Sequence, residues 1–152
     1  MKSIRFLLLG IVVVFTLGLT ACDNGGTTDS NPRLRSIYLV TEADRPNFGG
    51  NFRNNRTSFS VSEGSQGVGF LVHGSNSSSY NIEKLCVTFK KGGSILHEEE
   101  IPMGFDYRSF WQTSMGYYIT QIANDYSFEA YVVDTAGNRS NTLSKNFAII
   151  AD

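Results

Sequence analysis

Between residues 126 and 132 the side chains alternate: Tyr126, Phe128, Ala130 and Val132 fall on one face, Ser127 and Glu129 on the other. Only extended backbone repeats its side-chain direction every two residues, so this segment reads as a strand with one buried face. The same period recurs upstream. Phe59 and Val61 share a face within 57–62, and Val68, Phe70 and Val72 do so within 67–72. Leu85, Val87 and Phe89 oppose Cys86 and Thr88, and residues 36–41 are rich in β-branched and aromatic types. Polar, Gly-rich clusters at 47–55, 74–79 and 91–94 separate these runs as turns do. No segment carries an amphipathic helical pattern. The pattern predicts an all-β, antiparallel sandwich over residues 35–152.

After residue 132 comes a polar turn, Asp134-Thr135-Ala136-Gly137-Asn138, in which Gly137 and Asn138 tolerate positive φ. A final strand over 143–150 returns from it. A tyrosine-led alternating strand running into Asp-x-Ala-Gly-Asn resembles the closing strands of bacterial immunoglobulin-like and fibronectin type III-like domains. The resemblance is carried by residues 126–141 and implies an immunoglobulin-like β-sandwich. It gives Tyr126 the part of the tyrosine whose hydroxyl fixes the corner before that strand. The chain departs from immunoglobulin domains in two ways. Its tryptophan, Trp111, comes later than their third strand, and Cys86 is the one cysteine within residues 35–152, so that domain has no pair for an inter-sheet disulfide.

The N-terminus has a different character. Lys2 and Arg5 precede a charge-free run, residues 6–19, that ends in Leu19-Thr20-Ala21-Cys22. A basic start, a short apolar core and a small-residue exit describe a secretory signal peptide. The run has 14 residues and is interrupted by Gly10, Thr16 and Gly18, short of the roughly 20 that a spanning helix needs. Its last four residues resemble the lipobox of bacterial lipoproteins. That resemblance implies cleavage after residue 21 and lipidation of Cys22, with residues 22–34 as lipidated cysteine and flexible linker. Each buried methylene adds about 0.8 kcal/mol, and two or more acyl chains give stable anchoring. The expected location is the bacterial cell envelope, lipid-anchored to an inner or outer membrane and facing the periplasm or exterior. Residues 23–32 contain no apolar side chain and read as a tether of under about 20 Å mean reach.

Loss of residues 1–21 removes Lys2 and Arg5 and no acid, which takes the net charge from −1 to about −3. No basic excess is left to neutralise phosphates, so nucleic acid is not expected as a partner. With Cys22 lipidated, Cys86 has no partner within the chain, and its apolar neighbours describe a buried, inert thiol.

Candidate chemistry is sparse. His97 leads Glu98-Glu99-Glu100, but a zincin helix needs a second histidine where Ile101 stands. Consecutive carboxylates alternate faces on a strand, so the run reads as a solvated strand or loop. His73 reads as a strand-end histidine, because no Gly-x-Ser-x-Gly elbow accompanies it. Asp134 and Asn138 offer oxygen ligands, but EF-hand spacing is missing and Asp134 reads as a cap of its own turn. No phosphate-binding glycine loop is present. The expectation is therefore no catalytic residue, no metal site and no cofactor.

One cluster stands apart: Phe105, Tyr107, Phe110, Trp111, Tyr117 and Tyr118, six aromatics in 14 residues. Tyr107 and Trp111 share parity on a strand, with Phe110 opposite. Rings with a polar handle suit recognition surfaces, which makes Tyr107, Trp111, Tyr117 and Tyr118 the candidate binding residues. Core packing and cross-strand pairing account for the same rings. The reading is a membrane-anchored lipoprotein acting as a non-catalytic binding or structural module toward an envelope protein or glycan. Two alternatives are a carbohydrate-binding lipoprotein using those aromatics and a small envelope hydrolase. The last requires a pocket that brings His73 or His97 within reach of a carboxylate.

Overall fold

The computed structural model describes residues 31–47, 56–77, 79–105 and 108–152. They form eight strands: β1 Arg33–Thr41, β2 Ser58–Ser60, β3 Val68–Ser75, β4 Ile82–Lys91, β5 Ser94–Phe105, β6 Ser109–Tyr117, β7 Ala123–Asp134 and β8 Leu143–Ile150. A 3₁₀ turn, Glu42–Asn47, follows β1, and a short helix, α1 Val61–Gln66, follows β2. Among the described residues no helix is long and apolar enough to cross a membrane.

The strands make two sheets, β1-β3-β6 and β2-β8-β7-β4-β5. With β1 to β8 taken as A, A′, B, C, C′, E, F and G, this is the A-B-E over A′-G-F-C-C′ arrangement of an immunoglobulin-like sandwich. One ladder departs from the antiparallel expectation: β2 pairs with β8 in parallel. The chain leaves the first sheet after β1 and runs along the free edge of the second in the direction of β8. The strand also starts earlier than the alternation suggested. β1 begins at Arg33, and Leu34 lies in the core.

Alternation fixes the core. Tyr126, Phe128, Ala130 and Val132 of β7 are buried, as are Leu85, Val87 and Phe89 of β4. From the facing sheet come Leu39, Val68, Phe70, Val72 and Phe110. Each such side chain contributes about 1.5–3 kcal/mol by leaving water. Phe128 sits at the centre, with its ring 5.0 Å from Phe89, 5.4 Å from Phe147, 5.4 Å from Phe70 and 4.8 Å from Tyr117. Rings from both sheets thus interlock at one point.

Local devices hold the ends. The Tyr126 hydroxyl donates to the Gln121 carbonyl at 3.0 Å, the corner expected of it. Asp134 is fully buried and accepts from the amides of Ala136 (3.0 Å) and Asn138 (2.8 Å) and from the Asn138 side chain (3.0 Å). It caps its own turn. Gly137 takes positive φ (84°), whereas Asn138 does not, because the carboxylate holds Asn138 from two sides. Lys91-Gly92-Gly93-Ser94 closes β4 onto β5 with both glycines at positive φ, as a two-residue hairpin requires.

One segment overturns its alternation. Residues 57–62 read as a strand, but the strand stops at Ser60 and Val61 opens α1. The Ser60 hydroxyl accepts from the Glu63 amide at 3.3 Å, while the Glu63 carboxylate accepts from the Ser60 amide at 3.0 Å. This reciprocal capping box nucleates the helix.

Candidate functional site

The outward face of β1-β3-β6 carries a second, smaller apolar cluster. Val40 and Leu71 are buried there, and Tyr38 packs against them. Register brings His73 of β3 opposite Trp111 of β6. Their rings stack at 4.2 Å between centroids with 12° between planes, and the Tyr38 ring lies 6.3 Å from the indole at 22°. The imidazole is also held by its edge, with Nε2 3.1 Å from the Ser109 hydroxyl. Burial pushes the His73 pKa down, and the nearby Arg35 charge adds to the depression. A neutral, flat ring thus supports Trp111 from behind at neutral pH. Trp111 remains 48% exposed. A supported indole with half its surface in water is a platform for another flat or C–H-rich ligand face.

Of the four aromatics singled out in the sequence, the three that are described do not share this surface. Tyr107 lies outside the described residues, as does Cys22. Tyr117 points inward and packs against Phe70, Phe89 and Phe128. It has the same parity as the outward Trp111, so a plain strand would place both on one face. A register shift intervenes: Val68 pairs with Tyr117 and Phe70 with Ser114, which inserts an extra residue into β6. Such a bulge flips the parity beyond it, and Gly116 at φ 102° absorbs the bend. Tyr118 is 74% exposed, but it lies seven residues from Trp111, roughly 23 Å along an extended chain. Of the three that are described, Trp111 alone belongs to the platform. Its partners His73 and Tyr38 were not singled out as binding residues. The signal available was the shared outward parity of Leu71 and His73.

A second place gathers polar groups. His97, Glu99, Ser114, Gly116 and Tyr117 line an open cleft of about 340 Å³ between β5 and β6. The Tyr117 hydroxyl donates to Glu99 Oε2 at 2.7 Å and the Ser114 hydroxyl to the same oxygen at 3.2 Å. Burial, then the bond to Glu99, pushes the Tyr117 phenol far above its usual range, so it stays a neutral donor. His97 meets Tyr117 edge-on at 6.0 Å. Nucleophilic catalysis needs the serine hydroxyl bonded to a base that a third group orients. Among the described residues Ser114 is bonded to Glu99 and His97 to neither. The arrangement holds two hydroxyls on one carboxylate and braces the open side of the sandwich.

Cys86 is buried on the outward face of β4. Among the described residues no group of three or more His, Cys, Asp or Glu side chains is placed to hold a metal ion.

No family model matches the chain, and no curated protein does. Among solved structures the chain is similar to the CARDB domain of the PF1109 protein from Pyrococcus furiosus, in complex with di-metal ions. That likeness has 13% identity and a TM-score of 0.42, over 79% of this chain and 90% of that one. A solution structure of the same domain gives 12% and 0.42, over 81% and 99%. A superoxide reductase (neelaredoxin) from Ignicoccus hospitalis gives 10% and 0.39, over 83% and 87%.

Proposed function

We propose that this chain is a membrane-anchored lipoprotein of the bacterial cell envelope whose immunoglobulin-like domain acts as a non-catalytic binding module. The anchor rests on the lipobox-like Leu19-Thr20-Ala21-Cys22 and the charge-free run before it. The observation that carries the binding role is the half-exposed Trp111, held on the outer face of β1-β3-β6 by its stack on His73. Cross-strand stacking of this kind adds only about 0.2–1 kcal/mol to a sheet, and the indole keeps half of its surface available. The hydroxyls of Ser114 and Tyr117, both committed to Glu99, favour a holding role over a transforming one.

The same stack favours carbohydrate as the ligand class over a protein partner. An indole with an open surface receives the C–H face of a sugar ring, whereas a protein interface of ordinary size needs about 800 Å² per partner. Two variants test the reading. Cys22→Ser releases the protein from the detergent phase on phase separation; continued partition into detergent defeats the anchor. Trp111→Ala abolishes retention on envelope glycans with melting unchanged; full retention defeats the platform.

A further inference from the structure

We infer that the platform takes an acidic glycan, with a sugar ring on Trp111 and its carboxylate or phosphate group in a neighbouring arginine cleft. This rests on the carbohydrate reading above and adds the ligand's charge. At the end of the sandwich where β1 begins, an open cleft of about 510 Å³ is lined by Arg33, Arg35 and Arg139 with Ser75, Ser77 and Asn141. Among the described residues no acidic side chain lines it. The ion pairs Arg56–Glu63, Lys84–Glu100, Lys90–Glu129 and Lys91–Asp125 include none of these three arginines. Like charges gathered in that way on a chain of net charge −1 favour an anion between them.

The cleft is built in advance. Asn141 accepts from the Leu34 amide at 2.9 Å and donates to the Leu34 carbonyl at 3.1 Å, which pins the β7–β8 connection, and Arg139 with it, against β1. Arg139 lies 3.5 Å over the Tyr131 ring and donates to the Thr142 hydroxyl at 3.0 Å. Arg35 occupies the register shift between Leu34 and Ser36, a bulge of the kind that re-aims a side chain, and its Nε donates to the Ser75 hydroxyl at 3.1 Å. Each guanidinium keeps further N–H donors for an oxyanion, which arginine engages in pairs.

Cleft and platform are continuous. Ser75, in the cleft wall, is two residues from His73 and shares its outward face, about 6.6 Å away along β3. Ser75 also pairs with Ser109, whose hydroxyl meets His73. Arg35 is near enough for its charge to be felt at the imidazole. An oligosaccharide seated on Trp111 therefore extends into the arginines within a short step.

The test uses the full-length protein in detergent micelles. It is applied to immobilised oligosaccharides in matched pairs, each uronate beside its methyl ester and each sugar phosphate beside its dephosphorylated form. Phosphatidylglycerol vesicles run alongside. The acidic member of at least one pair is retained about tenfold more tightly than its neutral partner, and the preference falls as salt is raised. Arg35→Gln combined with Arg33→Gln, both at exposed positions, erases the preference; Arg35→Lys retains part of it, since charge remains without the fork. Trp111→Ala abolishes retention of both members of the pair. Equal retention of acidic and neutral members overturns the acidic inference and leaves the glycan reading standing. Retention of no glycan overturns both, and capture by the vesicles alone does the same, with the cleft reassigned to lipid headgroups.

Discussion

Two groups of aromatic rings, one inside the sandwich and one on its outer face, use the same chemistry to opposite ends. Inside, Phe70, Phe89, Tyr117, Phe128 and Phe147 surround one another from both sheets, and the polar tips of Tyr117 and Tyr126 are committed to Glu99 and the Gln121 carbonyl. Outside, Trp111 stacks on His73 with Tyr38 nearby, and the indole stays half in water. Ring type does not separate structural aromatics from available ones. What separates them is whether every face and tip is already engaged.

Single substitutions test this contrast. Phe128→Ala, at the point where both sheets meet, destabilises the domain by about 3–5 kcal/mol. A loss below about 1 kcal/mol in urea unfolding means that the rings do not interlock there. Tyr126→Phe removes the corner bond and keeps the ring, so the same experiment should show a loss of about 1 kcal/mol. Trp111→Ala costs less than about 1 kcal/mol, because its rings stack at a surface that water already reaches, yet it abolishes ligand retention. A cost as large as that of Phe128→Ala places Trp111 with the structural rings. His73 gives the smallest effect, and its sign is fixed. Its folded pKa is depressed, so as pH falls through about 6.5 the unfolded chain takes up its proton first. Stability therefore declines below about pH 6.5, and the decline shrinks in His73→Gln. An unchanged pH profile in that variant removes His73 from the buried side of the stack.

Much of this architecture is written locally. The alternation in β7, β4 and β3 places the buried face, and the final strand occupies the 143–150 span that its pattern marks. Elsewhere a local signal competes with the alternation. The helix start at Ser60-Val61-Ser62-Glu63 is a legible capping box, but Phe59 and Val61 alternate across it and mask the change. β5 is harder to read because it is an edge strand. Ile95 and Leu96 are both exposed while Glu99 turns toward the sandwich, so polarity no longer tracks direction. The outward orientation of Trp111 follows from the inward Phe110, but its partners do not follow from spacing. Tyr38, His73 and Trp111 come from three strands far apart in sequence, and only long-range register unites them. The bulge that turns Tyr117 inward shows in its pairing with Val68 and Phe70 on the neighbouring strand, and within residues 109–118 Gly116 is its one local sign. The arginine cleft likewise joins β1 to a turn over a hundred residues away through Asn141 and Leu34.

Trp111 is the single tryptophan of the chain, so indole fluorescence reports on the outer face of β1-β3-β6 and nowhere else. Titration of the full-length protein with the glycan panel should give a saturable change in that emission. The change should be largest for an acidic glycan, and that advantage should be lost when Arg33 and Arg35 are replaced by Gln. Binding of any ligand that leaves the indole emission untouched would put the recognition surface elsewhere and contradict the account.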